Sequence, residues 1–270
     1  PAYITKAHPA PVNDVEAKFL SLQQALVNDK RNLNQYRQEF INSCLKYADE
    51  LRVKEDPKFD NLSEFILELA TQLTSIRNYL VDWLIEECKY GLDNEFETIF
   101  IQFLEDARKL KSKPHEDQEA NLCPSLAHAL FLYETFLYLI AALIKNKQFS
   151  LLHKVFYHSY LLPSEDWHGD TRFEDFSTFY GSAEVLQDSL APEGKKLFSP
   201  SGEFIKQNVN RDDIDMGELI QAELLIVLIS VLKDESYWFR LPPFGFILYL
   251  SNFPFFIKFA RHDDFINLCK

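Results

Sequence analysis

The segment NLSEFILELATQLTSIRNYLVDW, residues 61–83, decides the fold class of this chain. Its large apolar side chains recur at steps of three and four residues, which is the period of an α-helix with one buried face. The stripe consists of Leu62, Phe65, Leu69, Leu73, Ile76, Leu80 and Trp83. Asn61 and Glu64 have the spacing of an N-terminal capping box, and Gly91 is a typical stop. The segment therefore predicts one long amphipathic helix.

The helical period continues toward both ends of the chain. Before the quoted segment it predicts helices near residues 14–29 and 33–51, which we expect to form an antiparallel hairpin. After it, Asn94 and Glu97 have the spacing of a second capping box, and residues 213–233 form a last amphipathic segment. The predicted fold class is all-α, a multi-helix bundle of successive helical hairpins.

Residues 125–144 are almost entirely apolar and approach the length that spans a bilayer. His128 and Glu134 interrupt this stretch, and a charged carboxylate at the centre of a membrane is costly. A helix surrounded by other helices in a soluble protein is also apolar on all sides. The sequence favours such a central buried helix, and no membrane partner is expected.

A stretch rich in acidic residues suggests where the chain divides. Residues 163–175, PSEDWHGDTRFED, predict an exposed loop between an N-terminal helical bundle, residues 1–162, and a C-terminal helical subdomain, residues 163–270. A single domain is the alternative. Residues 178–190 predict a short helix, and residues 191–202 a second connection.

The C-terminal region is rich in aromatic side chains and broken by prolines, which predicts an irregular structure. The aromatic density exceeds what one short segment usually buries, so part of it is a candidate docking surface for another domain or protomer. The candidate surface residues are Trp238, Phe239, Phe244, Phe255 and Phe256. Burial in the core is the alternative.

Composition narrows the classes of function. A formal net charge of −13 repels phosphate backbones, so no DNA partner is expected. The chain has no GxSxG, P-loop, GxGxxG or HExxH motif, and we predict no cofactor and no metal. Its four cysteines are widely separated, which favours reduced thiols and a cytoplasmic location.

Several polar groups are weighed as candidate sites. His153 and His158 are five residues apart, so on a regular helix they point away from each other and do not form a metal-binding pair. Glu86 and Glu87 are typical of surface charge. A histidine between two carboxylates in a loop suits a ligand- or partner-contacting role. That loop group is Asp166, Trp167, His168 and Asp170.

Arg108 and His115 have six residues between them, a spacing that resembles the arginine-to-histidine spacing of the HEPN class of helical ribonucleases. The resemblance implies an alternative function, RNA cleavage by this pair. An exposed arginine and a loop histidine without catalytic roles account for the same residues.

Three C-terminal segments follow one another in an order that resembles helical regions appended to effector domains, TIR-like ones among them, in bacterial defence proteins. They are IQAELLIVL (Ile220–Leu228), WFRLPPFG (Trp238–Gly245) and PFFIKFA (Pro254–Ala260). The strand and helix alternation of a TIR domain is absent, so the resemblance places any NAD-cleaving activity outside this segment.

The chain begins at Pro1 rather than Met, which is typical of a segment of a longer polypeptide. We therefore expect a non-catalytic helical module of a larger prokaryotic protein. It would sense a protein partner or an adjacent domain, or hold protomers together as a homo-oligomer.

Overall fold

The helix predicted from residues 61–83 is α3, Leu62–Tyr90, and the rest of the fold is arranged around it. Its stripe from Leu69 to Trp83 is buried. Gly91 follows with a φ of +86°, a left-handed conformation that ends helices and that glycine adopts without strain. The computed structural model of the protein describes residues 12–28, 30–51, 62–111, 122–163, 171–181, 186–191 and 200–233.

The all-α class is confirmed, and so is the first helical hairpin. Helices α1, Val12–Asn28, and α2, Leu33–Glu50, pack against each other along their lengths. The rings of Phe19 and Phe40 lie 5.5 Å apart, and Lys18 and Glu39 form a surface ion pair of 2.7 Å. The helix pair then packs on α3.

Helix α4, Asn94–Arg108, starts where the sequence predicts, but its cap differs. The capping side chain is Asp93, which accepts a hydrogen bond from the backbone N–H of Phe96, so the prediction of Asn94 as the cap is wrong by one residue. Aspartate also suits this position because its charge complements the helix dipole.

Helix α5, Leu122–Lys145, is the central buried helix that the sequence favours. By length and composition it is the one helix among the described residues that could cross a membrane, but 94% of its apolar window is buried inside the protein. It packs mainly against α3 and against the last described helix. Its polar residues have partners: His128 lies 2.7 Å from the carbonyl oxygen of Ala48, and Glu134 pairs with Arg77.

Helix α6, Phe149–Tyr157, leads into a small antiparallel sheet of β1, Tyr160–Pro163, and β2, Thr171–Glu174. The prediction of an exposed loop over residues 163–175 is therefore wrong where these strands lie. The pairing places Leu161 opposite Phe173. The acidic residues and Pro163 made this segment resemble a loop, so its strands were not predicted. Proline is nevertheless tolerated at the ends and edges of strands.

The described remainder is helical again. A 3-10 helix, Phe176–Phe179, is followed by α7, Gln187–Leu190, and α8, Pro200–Gln207. Within the short helix predicted over residues 178–190, the structure shows the end of the 3-10 helix at Phe179 and the helical turn of α7, while residues 182–185 lie outside the described residues. The connection predicted over residues 191–202 ends earlier, because Pro200 occupies the first helical position, where a missing N–H costs nothing.

The last described helix, α9, is Met216–Lys233 rather than one that opens at Asp213. Asp215 accepts a hydrogen bond from the backbone N–H of Glu218, and the Glu218 carboxylate accepts one from the backbone N–H of Asp215. This reciprocal pair is a capping box, and it sets where α9 begins.

The buried core continues across the predicted boundary at residue 163. Phe136 of α5 stacks on Phe179, with ring centroids 4.8 Å apart. At Gly181 the backbone approaches α5 so closely that an added Cβ would overlap the carbonyl group of Ala129. Glycine is needed there for its small size.

Candidate functional site

Among the residues predicted to carry function, Arg108 is described by the structure. The others lie outside the described residues and stay predictions: His115, the loop residues Asp166, Trp167, His168 and Asp170, and the aromatic residues Trp238, Phe239, Phe244, Phe255 and Phe256.

Arg108 is buried, with 5% of its surface exposed, so the interpretation of it as an exposed arginine is wrong. Its Nε donates a hydrogen bond of 2.6 Å to the hydroxyl oxygen of Thr178. The side chain thereby ties the end of α4 to the 3-10 helix after β2. A guanidinium directed into the protein in this way is poorly placed to contact the phosphates of an RNA.

Two buried arginine clusters hold the helices together, and the first is the Arg37 cluster of Arg37, Trp83, Glu87 and Asp93. Nε and Nη2 of Arg37 each donate a hydrogen bond of 2.7 Å to the Glu87 carboxylate, and Trp83 Nε1 donates one of 3.1 Å. The outer edge of the guanidinium reaches Asp93, 3.3 Å away. This bidentate geometry is the strongest form of a side-chain ion pair.

Glu87 corrects a prediction, because Glu86 and Glu87 together are expected to be surface charge. Glu87 is 1% exposed, whereas Glu86 is partly exposed and pairs with Lys89 at the surface. Adjacent residues on a helix point about 100° apart, so one of them faces the core while the next faces the solvent.

The second is the Arg77 cluster of Arg77, Glu134, Tyr138, Asn208 and Asn210. Arg77, on α3, is fully buried, pairs with Glu134 of α5 and lies 4.2 Å from the centre of the Tyr138 ring. Its Nη2 donates to Asn210 Oδ1 at 2.6 Å, and the carbonyl oxygen of Asn208 is 3.4 Å away. Burial raises the pKa of Glu134 to about 6, although the charge and hydrogen bond of Arg77 act to lower it.

The guanidinium groups of Arg37 and Arg77 and the carboxylates of Glu87 and Glu134 are buried in the helix bundle, whereas Asp93 and Asn210 lie at its exposed edge. In both clusters, oppositely charged side chains neutralise each other and supply the hydrogen bonds of groups that are buried in the bundle. Candidate binding chemistry has to be sought at the surface instead.

On the surface formed by the described residues, an open groove of about 540 Å³ lies between α4 and α6. We call it the α4–α6 groove, and it is lined by Glu97, Thr98, Ile101, Gln102, Glu105, His153, Lys154, Tyr157 and His158. Lys154 forms an ion pair with Glu97 across it. His153 stacks on Tyr157 with ring centroids 4.5 Å apart, which gives one wall a flat aromatic surface.

The α4–α6 groove is continuous with the β-hairpin. The carboxylate of Glu105 accepts a hydrogen bond of 3.0 Å from the backbone N–H of Leu161 and lies 3.2 Å from Nε2 of His158. Leu161 is 46% exposed, and its cross-strand neighbour Phe173 is 72% exposed. The groove together with Leu161 and Phe173 is called the groove–hairpin surface below.

The groove–hairpin surface combines acidic, aromatic and aliphatic groups. Tyr157, 55% exposed, lies in the groove wall. Two apolar side chains opposite each other on one face of a hairpin are unusual for a solvated surface and are typical of contact sites. The arrangement can contact a polypeptide that carries basic and apolar side chains.

The described residues contain no group of three or more His, Cys, Asp and Glu side chains placed to hold a metal ion. His158 faces Glu105, whereas His153 stacks on Tyr157. The two histidines therefore line the same groove but have separate partners.

No family model, curated protein or solved structure matches this chain. Function must therefore be argued from the residues.

Sequence reasoning missed the groove–hairpin surface, although part of its signal is visible. Glu97, Ile101 and Glu105 are spaced by four residues and share one face of α4. The identity of the opposite wall depends on how α6 packs, which no local pattern encodes.

Proposed function

We propose that this chain is a non-catalytic helical interaction module, which binds a protein partner or an adjacent domain of the same polypeptide through its groove–hairpin surface. The observation that carries the proposal is the exposed pair of Leu161 and Phe173 at the end of an open groove. The resemblance of the C-terminal segments to appended regions of bacterial defence proteins supports a place within a larger prokaryotic protein in the cytoplasm.

The chemistry of the surface favours one class of partner. The chain carries a net charge of −13, and Glu97 and Glu105 line the groove, where Glu97 is paired with Lys154 and Glu105 accepts a hydrogen bond from the Leu161 N–H. Opposite charge steers association and selects partners, while apolar anchors supply most of the binding free energy. The proposed partner is a protein segment in which basic side chains alternate with large apolar ones.

The proposal is tested by comparing this chain alone with the same chain in its native longer polypeptide. Light scattering measures the assembly state, and hydrogen–deuterium exchange measures protection of the groove–hairpin surface. We expect slower exchange of Phe149–Tyr157 and of both strands in the longer form or in an oligomer. A monomer whose exchange is identical in both forms contradicts the proposal.

Two matched variants locate the contact. Phe173→Asp places a charge on the proposed surface, and Val27→Asp places one on α1, where Val27 is 59% exposed. Both sites are open to solvent, so both variants should keep the wild-type helical content. We expect only Phe173→Asp to remove the added protection or the assembly. Equal effects of the two variants would show that charge, rather than the surface, is responsible.

A further inference from the structure

The connection between α8 and α9, residues 208–215, is held against α3 and α5 by cationic side chains. Arg77 contacts Asn208 and Asn210, as described above. Arg211 donates hydrogen bonds to Asp82 at 2.6 Å, to the carbonyl oxygen of Asn78 at 3.1 Å and to Asp213. Lys145 of α5 binds the carbonyl oxygen of Asp213 and forms a 2.6 Å ion pair with Glu218. Polar contacts from these cations, together with the burial of Ile214, thus hold this connection in place.

These contacts differ in exposure. Asp82 and Asp213 are 40% and 45% exposed at their side chains, so water also solvates them. Arg77 and Glu134 are 0% and 1% exposed, and Glu134 is the carboxylate that balances the buried guanidinium. Without that charge, Arg77 would keep only neutral acceptors, and a buried cation is poorly stabilised by them.

We propose that the Arg77–Glu134 pair is a proton-operated latch: when Glu134 takes up a proton, Arg77 is released and the connection 208–215 loses its contacts at Asn208 and Asn210, while those made by Arg211 and Lys145 remain. The direction follows from linkage. Arg77 favours the ionised form of Glu134, so an arrangement without Arg77 holds the proton more tightly. Proton uptake therefore shifts the population toward that arrangement.

The groups around Glu134 include Asp213 and Tyr138, which keep their neutral-pH charge in mild acid. The charged and titratable groups that face the latch are Asp82 of α3, Tyr138 and Lys145 of α5, Arg211 and Asp213 of the connection, and Glu218 of α9. The hydrogen bonds from Arg211 lower the pKa of Asp213, and burial raises the pKa of Tyr138 to about 12. Both therefore keep their neutral-pH forms where Glu134, with a pKa of about 6, is half protonated.

Hydrogen–deuterium exchange of the whole chain, corrected for the intrinsic effect of pH, tests the latch at about pH 7.5 and about pH 5.5. We expect residues 208–215 to exchange at least about threefold faster at the lower pH. Glu134→Gln, a neutral side chain of the same shape, should give the faster exchange at both pH values. Asp82→Asn, which removes an exposed carboxylate bonded to Arg211, should retain the pH response.

A second measurement does not depend on how the variants fold. In the wild-type chain, NMR signals of the Arg77 Nε–H and of the Asn210 side-chain amide should shift together, with a midpoint near pH 6. Equal exchange of residues 208–215 at both pH values, a retained pH response in Glu134→Gln, or unchanged Arg77 and Asn210 signals would each overturn the proposal.

Discussion

The Arg37 cluster and the Arg77 cluster each pair a buried arginine with a buried glutamate, and α3 supplies the glutamate of the first and the arginine of the second, yet they differ in how well the carboxylate is satisfied. Glu87 accepts two hydrogen bonds from Arg37 and a third from Trp83. Glu134 is held by a single contact from Arg77, and burial raises its pKa to about 6. Few donors around a buried carboxylate leave its desolvation poorly offset, so the link between Arg77 and Glu134 responds to pH.

The two arginines differ in the same way. Arg37 has two anionic neighbours, Glu87 and the partly exposed Asp93. Arg77 has Glu134 and then neutral groups, which are the Tyr138 ring and the oxygens of Asn78, Asn208 and Asn210. The first cluster joins three consecutive elements of the N-terminal bundle, whereas the second also fixes a distant connection.

The largest effect is expected when the first cluster is broken. Arg37→Leu leaves Glu87 buried without its cation, which should lower the free energy of unfolding by about 3–5 kcal/mol. Urea denaturation followed by circular dichroism measures this loss. Lys46→Leu is the control, because the exposed Lys46–Glu50 pair contributes less than about 1 kcal/mol. Similar losses in both variants would contradict the assignment of Arg37 as a structural anchor.

The second cluster should be less costly to break, and its cost should depend on pH. Arg77→Leu should lower the free energy of unfolding by about 3 kcal/mol near pH 7.5, and by less near pH 5, because Glu134 can then become neutral. The same denaturation series at the two pH values measures this difference. Arg37→Leu serves as the comparison, and a pH-independent cost for Arg77→Leu would show that Glu134 does not titrate in this range.

The wild-type Glu134 should itself make a pH-dependent contribution. Its folded pKa of about 6 is raised above the ordinary value of 4.5, so the folded state binds its proton more tightly than the unfolded state does. This contribution to stability is therefore largest below about pH 4.5 and falls as the pH rises to about 6, by at most about 2 kcal/mol.

The measurement is the difference in unfolding free energy between wild type and Glu134→Gln across that range, since subtraction removes the other carboxylates. The difference should shift in favour of wild type as the pH falls. A constant difference would contradict a raised pKa.

The smallest expected effect is the difference in stability between losing a helix cap that belongs to the Arg37 cluster and losing a helix cap that does not. Asp93→Ala should lower the free energy of unfolding by about 1 kcal/mol because the cap of α4 is lost, and by a further amount because the contact with Arg37 is lost. Asp215→Ala removes the cap of α9 and should lower the free energy of unfolding by only about 1 kcal/mol. Thermal denaturation of the two variants measures the additional loss of stability in Asp93→Ala. A larger loss for Asp215→Ala would contradict a contribution from the contact between Asp93 and Arg37.

The helices could be predicted from the sequence because their apolar period is a local property. Residues 62–83 specify α3 almost residue by residue, and the apolar segment from residue 125 specifies α5. Glu87 could not be placed in this way, because its burial depends on Arg37, fifty positions earlier in the chain. The spacing of apolar residues indicates which face of a helix is buried, but it does not indicate which charged residue forms a buried ion pair.

The β-hairpin and the candidate site were missed for a related reason. Each strand has four residues, and the pairing of Tyr160–Pro163 with Thr171–Glu174 is a contact between separated segments. The α4–α6 groove exists because two helices from different parts of the chain lie side by side. Such sites depend on the assembled fold, and sequence spacing alone does not report them.

At Gly181, a single added methyl group would push two packed segments of the backbone apart. The hydrogen that glycine carries in place of a side chain lets the segment after the hairpin lie directly on the Ala129 carbonyl group. Any larger residue would force the backbone away from α5 and open the aromatic contact between Phe136 and Phe179. The close approach of this segment to α5 thus depends on the absence of a Cβ at residue 181.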